Sequence, residues 1–328
     1  MRKLLIGAVL VLLLAVVAVA AFLFVPSPLQ KWAVERGASV ATGRQVTFGE
    51  PFHLRAWPPV TIAAADVRVA NADWGQAPEL ARIETLDASV DLLALWRENR
   101  VDVERLVVRR PQLNLEVAED GRQNWVLRAG APAEPETEQP AETKQIPGFV
   151  LGDVRIEGGT VAYDDRATKL SRRAEEIELA VAQAGADQPA KLDGGLTLDG
   201  KRATLAGTVA RPDEIAAGAA SPVVLELQAP GGTVKFDGTA NTAAPAVNGG
   251  VEIDLTGPRE LLAWLGQEPA LPEGALRTAG LETRLDLTAE RVALDDLHVR
   301  ADEIAGGGRA AVSFGDPPAV EGELAFGR

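Results

Sequence analysis

The chain has no cysteine, one methionine, one tyrosine and two histidines among its 328 residues. Without cysteine there can be no disulfide, thiolate nucleophile or cysteine-ligated metal site, an absence that suits an oxidising compartment. Aromatic residues make up only 5% while hydrophobic residues make up 46%, so the apolar mass is mostly Ala, Val and Leu. Such side chains make a smooth lining more readily than an interlocked core. Positive charge is also in deficit, with 33 Lys and Arg against 47 Asp and Glu and a net charge of -14. That balance repels the phosphates of nucleic acids over long range, and nucleic-acid binding is excluded on this ground.

Catalytic constellations are missing too. No G-x-S-x-G occurs, and His53 and His298 stand far apart with no H-E-x-x-H or triad companion. The stretch from Gly195 to Lys201 imitates the start of a phosphate-binding loop, but Arg202 stands where Ser or Thr should hold magnesium, and its flanks read as strands. Asp199-Gly200 is therefore a hairpin turn. The acid pairs Asp164-Asp165 and Asp295-Asp296 fall at strand ends and lack the alternating ligands of a calcium loop. No enzyme activity, cofactor or metal is expected.

What is present begins at the N-terminus. Leu4 to Val25 contain no charged side chain; as a helix they would rise about 33 Å, enough for a bilayer core. Ala18-Val19-Ala20 resembles a signal-peptide cleavage site, yet the apolar run continues through Phe22 to Val25, which favours a retained anchor. Arg2 and Lys3 precede the run and leave residues 1–3 in the cytoplasm, so everything after Val25 is expected across the membrane. Residues 27–43 then read as a short helix, with Ser27 as its cap and Pro28 in its first position. Leu29, Trp32, Ala33, Arg36 and Val40 share one face. Trp32 on that face either sits in the headgroup belt or packs on the first strands.

From Arg44 onward the apolar period is two, as in Val60, Ile62 and Ala64, or Leu86, Ala88, Val90 and Leu92. Turn chemistry at Asp120-Gly121, Gly158-Gly159, Asp199-Gly200, Gly231-Gly232, Asp237-Gly238 and Asn248-Gly249-Gly250 predicts short hairpins and an antiparallel meander of roughly 20 strands. Helical turns are expected at Leu92–Glu98 and Pro258–Leu265. Residues 129–147 hold a Pro- and Glu-rich linker between strand regions at 44–128 and 148–328.

A short pattern of charged, apolar, any, apolar recurs at Asp66, Arg105, Asp153 and Asp296. Two copies extend further. RLVVRRPQLNL from Arg105 aligns without a gap to DVRIEGGTVAY from Asp153, setting Leu106 on Val154, Val108 on Ile156, Pro111 on Gly159, Leu113 on Val161 and Leu115 on Tyr163. Proline cannot serve an interior ladder, so Arg110-Pro111 is a break between two strands.

In the segments Ala41 to Gly75, Leu80 to Trp125 and Gly152 to Asp165, and most specifically in Asn71-Ala72-Asp73-Trp74-Gly75 and Gly121-Arg122-Gln123-Asn124-Trp125, the sequence resembles the AsmA family of inner-membrane-anchored bacterial proteins. Family members are commonly much longer. The resemblance implies a β-groove related to the chorein-type bridge proteins, carrying phospholipid acyl chains between membranes and supporting outer-membrane homeostasis. The expected fold is thus mainly β: a transmembrane helix, then an elongated, twisted antiparallel sheet forming an open groove, with a few short helices. Candidate groove residues are Val67, Val69, Val90, Leu92, Leu106, Val108, Leu113, Leu115, Val154 and Ile156. The expected partners are a phospholipid or other acyl-chain lipid, the inner membrane through residues 4–25, and an envelope protein at the C-terminal sheet edge. The competing class is a non-catalytic scaffold or regulator that pairs through that edge, and a periplasmic hydrolase is the third.

Overall fold

The computed structural model describes residues 27–55, 59–98, 100–127, 148–243, 245–267, 272, 274–314 and 319–327. The expected cytoplasmic residues 1–3, the anchor at 4–25 and the linker at 129–147 lie outside the described residues. Among the described residues no helix is long and apolar enough to cross a membrane.

The first described element is helix α1 (Ser27–Thr42), which ends at Gly43 with φ +65°. The first strands are β1 (Val46–Thr47), β2 (Phe52–Arg55), β3 (Val60–Ala70) and β4 (Glu79–Asp91). Helix α2 (Leu93–Glu98) leads to β5 (Arg100–Arg109), β6 (Gln112–Val117), β7 (Gly148–Asp165), β8 (Leu170–Gln183), β9 (Ala190–Leu198) and β10 (Lys201–Val209). Helix α3 (Pro212–Ala216) precedes β11 (Ser221–Ala229), β12 (Gly232–Asn241) and β13 (Ala246–Leu255). After α4 (Pro258–Trp264) come β14 (Ala279–Thr288), β15 (Arg291–Ala301), β16 (Ile304–Ser313) and β17 (Ala319–Gly327). All 17 strands belong to one sheet. Of the described helices, α3 went unread in the sequence, although Pro212 in its first turn followed by Asp213 and Glu214 is a start signal.

The pairings run strand to neighbouring strand from β3 through β17, with β1 and β2 both on the outer side of β3, and β5 and β6 sharing one lane between β4 and β7. The sheet is mixed, which corrects the purely antiparallel expectation: β7 runs parallel to both β5 and β6. The cause is the connection. After Val117 the chain must return to the far end of β5 before β7 begins, and parallel neighbours need a crossover of a dozen or more residues. Residues 118–147 supply that length.

Three of the expected turns fail. Gly158-Gly159, Asp237-Gly238 and Asn248-Gly249-Gly250 are interior to β7, β12 and β13 and are not hairpin turns. Gly238 and Gly249 face each other across these strands, and a Cβ on Gly238 would lie 2.1 Å from the Asn248 carbonyl oxygen and 2.6 Å from the Gly249 Cα. Close approach of two backbones is the reason for glycine there. Asp199-Gly200 does make the tight β9–β10 turn, with φ +50° and +77°.

The aligned repeat proves to be the parallel register itself. Leu106 pairs with Val154, Val108 with Ile156, Leu113 with Val161 and Leu115 with Tyr163. Arg110 and Gly158, at the two breaks, have φ +45° and +66°. Arg110 N–H donates to the Glu157 carbonyl at 2.7 Å, and Thr160 N–H to that of Pro111 at 2.7 Å, so the kinks stack without interrupting the ladder. The short four-residue pattern does not mark one structural position: Asp66 and Asp296 are themselves kink residues at φ +49° and +51°, whereas Arg105 and Asp153 sit in regular strand.

These kinks set the faces. An extra residue in a strand moves the later side chains to the opposite face of a regular pleat. Here Val108 and Pro111, or Ile156 and Gly159, are three apart, yet the kink between them returns both apolar runs to the same side. Asp66 acts likewise in β3, so that Ala64 and Val67 both reach the cluster around Phe52. This cluster, with Val34 of α1, Phe48, Leu54, Ile62, Ile83 and Leu86 around it, is where the packed core sits.

Candidate apolar face and its closed end

Successive side chains of a strand alternate between faces, so the register places whole rows on one side. One row starts at Phe52 and passes through Ala64, Leu86, Val108, Ile156, Leu179 and Gly194. It continues through Leu205, Leu227, Val234, Ile253, Leu281, Val299 and Gly306 to Phe326 on β17. No member is polar. The adjacent row runs from Leu54 through Ile62, Ala88, Leu106, Val154, Val181, Leu192, Gly207, Leu225, Phe236 and Val251 before meeting Thr283. The Thr283 hydroxyl donates to the Asp295 carbonyl at 2.9 Å, so its polar atom is satisfied within the sheet.

The opposite face is polar. From β11 to β15 its row is charged or ionisable, Glu226, Lys235, Glu252, Glu282 and His298, with Lys235 paired to Glu252 at 3.6 Å; towards β3 the same row alternates Asp193, Arg155 and Asp87 with Ala206, Ala180, Val107 and Ala63. His298 is exposed there and its Nδ1 lies 2.9 Å from the Asp296 carbonyl.

Among the described residues no continuous layer covers the apolar rows beyond the α1 end, where α2 touches β5 and α3 touches β7. Leu106, Val108, Val154, Ile156, Leu225, Phe236, Val251 and Leu281 are neither buried in a core nor free on the surface. A sheet normally buries its apolar face against another element. An apolar face left uncovered over so many strands far exceeds the scattered exposure usual for single side chains.

Of the residues singled out from sequence, Leu106, Val108, Val154 and Ile156 lie in these rows, and Val90 extends the second row's face along β4. Val69, Leu113 and Leu115 lie beyond the kink, with Leu113 opposite Ala81 and Leu115 beside Tyr163. Two differ. Val67 is buried at 5% exposure in the cluster under α1, and Leu92 follows the last residue of β4 and is exposed. The sequence period did not single out the stretch from β9 to β17, whose lining is as continuous as that of the earlier strands.

At the strand ends near β3 and β6 the two most specific segments meet. Asn124 is fully buried; its Nδ2 donates to Asn71 Oδ1 at 2.9 Å and to the Asn114 carbonyl at 2.7 Å, while its Oδ1 accepts from Glu116 N–H at 2.9 Å. Glu116, 5% exposed, accepts from Asn71 Nδ2 at 2.8 Å and from the backbone N–H of Gln76 and Ala77 at 2.7 and 2.9 Å. Burial pushes the Glu116 carboxyl up, but the Gln76, Ala77 and Asn71 donors, helped by Arg166, outweigh it and hold the group below its ordinary range. Gly75 closes against Asn71 so tightly that a Cβ would lie 2.3 Å from Nδ2. Two guanidiniums lie over the Trp74 ring, Arg122 at 5.3 Å and Arg166 at 5.6 Å from its centroid. A cavity of about 480 Å³ opens here between Arg44, Trp74, Arg122 and Val126. Resemblance pointed to both segments; the carboxylate that joins them, Glu116, was not singled out.

One member of each acid pair has a structural partner. Asp165 Oδ1 accepts the N–H groups of Ala167 and Thr168 at 2.9 and 3.1 Å, and the Thr168 donor is the main reason its carboxyl lies below the usual range. Asp296 occupies the β15 kink beside Arg284 at 3.3 Å. Among the described residues no group of three or more His, Asp or Glu is placed to hold a metal ion.

Compared with known families, the chain matches a family model described as the AsmA family over residues 1–253. No curated protein matches the chain.

Proposed function

The chain belongs to the AsmA family, and from that premise we propose that it is a membrane-anchored, non-catalytic lipid-binding or lipid-transfer protein of the bacterial envelope. In this reading residues 4–25 cross the inner membrane, the body lies in the periplasm, and the apolar rows form a groove for acyl chains that supports outer-membrane lipid homeostasis or assembly. The observation that carries it is the unbroken apolar row from Phe52 to Phe326, which among the described residues has no continuous protein layer upon it beyond the α1 end.

Energetics supports the reading. Each methylene moved from water onto such a wall is worth about 0.8 kcal/mol, so a two-chain phospholipid gains tens of such terms along the groove that open water would forfeit. Helix α4 bridges the strand ends from β13 to β9, where Trp264 Nε1 donates to the Leu198 carbonyl at 2.8 Å and Lys201 pairs with Glu260 at 2.9 Å.

The test is lipid analysis of the purified protein by mass spectrometry, beside a Leu225→Asp variant that places a carboxylate on the apolar face. Phospholipid held by the parent and reduced in the variant, with unchanged circular dichroism, is the expected result. A chain that takes up no labelled phospholipid would sink the reading.

One observation favours a second reading, a scaffold that pairs through its sheet edge. All residues of β17 are exposed, and among the described residues its outer edge has no strand partner. Crosslinks from β17 to one defined envelope protein, with function surviving Leu225→Asp, would favour the scaffold over the groove.

A further inference from the structure

Helix α1 has two faces of different character. Inward, Val34 packs on the Phe52, Ala64 and Val67 cluster. Glu35 Oε1 accepts from Phe48 N–H at 2.8 Å, and Ser39 Oγ from Val46 N–H at 2.9 Å. These contacts fix the helix to the sheet, so its outer face has a set direction. On that outer face Leu29, Trp32 and Val40 are 56%, 63% and 52% exposed. At 100° per residue they fall with Arg36 in a stripe about 80° wide. Arg36 is exposed and makes no ion pair among the described residues. The sequence left open whether Trp32 packs on the first strands; it is mostly exposed and borders an open cavity beside Val46 and Thr47 of β1.

We propose that this stripe lies flat on a lipid bilayer, with Leu29, Trp32 and Val40 sunk among the headgroups and Arg36 at the level of the phosphates. The inference rests on reading residues 4–25 as a membrane anchor. The occupant follows from the chain: the charge-free run ends at Val25, and α1 begins at Ser27, after a single proline. A helix tethered at that point, with leucine, tryptophan and valine on its free side and arginine between them, has the composition of an in-plane interfacial helix. Since the other side of α1 covers the first residues of the apolar rows, a flat helix brings the Phe52 end of the sheet against the membrane. Lipid would then enter the rows from beside α1.

Geometry makes the proposal testable. Leu29 and Val40 are separated by about 16 Å along the helix axis. They share one depth only if the helix lies in the membrane plane. Because the chain has no cysteine, single variants Leu29→Cys, Val40→Cys and, as a control on the polar face, Thr239→Cys can each carry one nitrobenzoxadiazole label. The full chain is placed in vesicles of phosphatidylethanolamine and phosphatidylglycerol containing nitroxide-labelled lipid, and co-flotation is measured first. The expected result is loss of fluorescence at both Leu29→Cys and Val40→Cys and none at Thr239→Cys. If the chain floats but the Val40→Cys label is as bright as the control, the flat placement is wrong and the anchor reading stands. If the chain does not float, both are wrong.

Discussion

A single carboxylate carries much of the order at the closed end of the sheet. Glu116 gathers the Asn71 amide and two backbone N–H groups from the loop after β3, while its own N–H is bound by the buried Asn124. Removing the acceptor would leave these donors unpaired in a buried site, which costs about 1–3 kcal/mol each. Glu116→Ala is therefore expected to lower stability by roughly 2–4 kcal/mol in urea unfolding. The pH dependence has a definite sign. The folded carboxyl lies below its ordinary value, so its stabilisation is complete above the unfolded value of about 4.3 and is lost as pH falls through the folded one. Between pH 7 and pH 3 the parent should lose more stability than Glu116→Gln, and parallel losses in the two would show that the hydrogen bonds do not depend on charge. Nothing in the local sequence marks Glu116, because its partners come from positions about 40 residues away. The asparagine segments stood out by resemblance, but their purpose needed the fold.

The strand with a kink is the recurring element. Arg110 and Gly158 adopt positive φ side by side in β5–β6 and β7, and Glu176 does so in β8 at φ +50°. Each turns a phase slip in the apolar pattern into a continuous face. A side chain with a β-branch at such a φ is strained by about 1–2 kcal/mol. Gly158→Val should destabilise by that amount, whereas Arg110→Gly, which relieves strain on the neighbouring kink, should leave the midpoint of thermal unfolding unchanged or higher. Equal destabilisation by both would mean that the Arg110 pair with Glu84, not the backbone, holds the bend. The pairing of these strands was legible from residue pattern alone, because parallel neighbours carry equivalent positions side by side, and the alignment of Arg105 onto Asp153 is their actual register. Their direction was not. Turn residues report only local reversals: Asp120-Gly121 makes a tight turn after β6, and nothing in it states where the chain returns to begin β7. The same locality misled at Asp237-Gly238 and Asn248-Gly249-Gly250, where glycine serves close strand contact.

At the scale of the whole molecule the account concerns one sheet with unlike faces. Period two showed which residues share a side, but which side was wet depended on what packs where. α1 withdraws Val67 into a small core, while Leu106, Val108 and the rows beyond them stay open. The face is defined by register across all the strands, so neighbouring positions in one strand should behave oppositely. Phe236 belongs to the apolar row and Lys235, next to it, to the charged one. The most direct measurement replaces each in turn with benzoylphenylalanine in the full chain, irradiates cells, and weighs the adducts by mass spectrometry. The account predicts adducts of phospholipid mass at position 236 and none at position 235. No lipid adduct at position 236, or equal yields at the two positions, would contradict it.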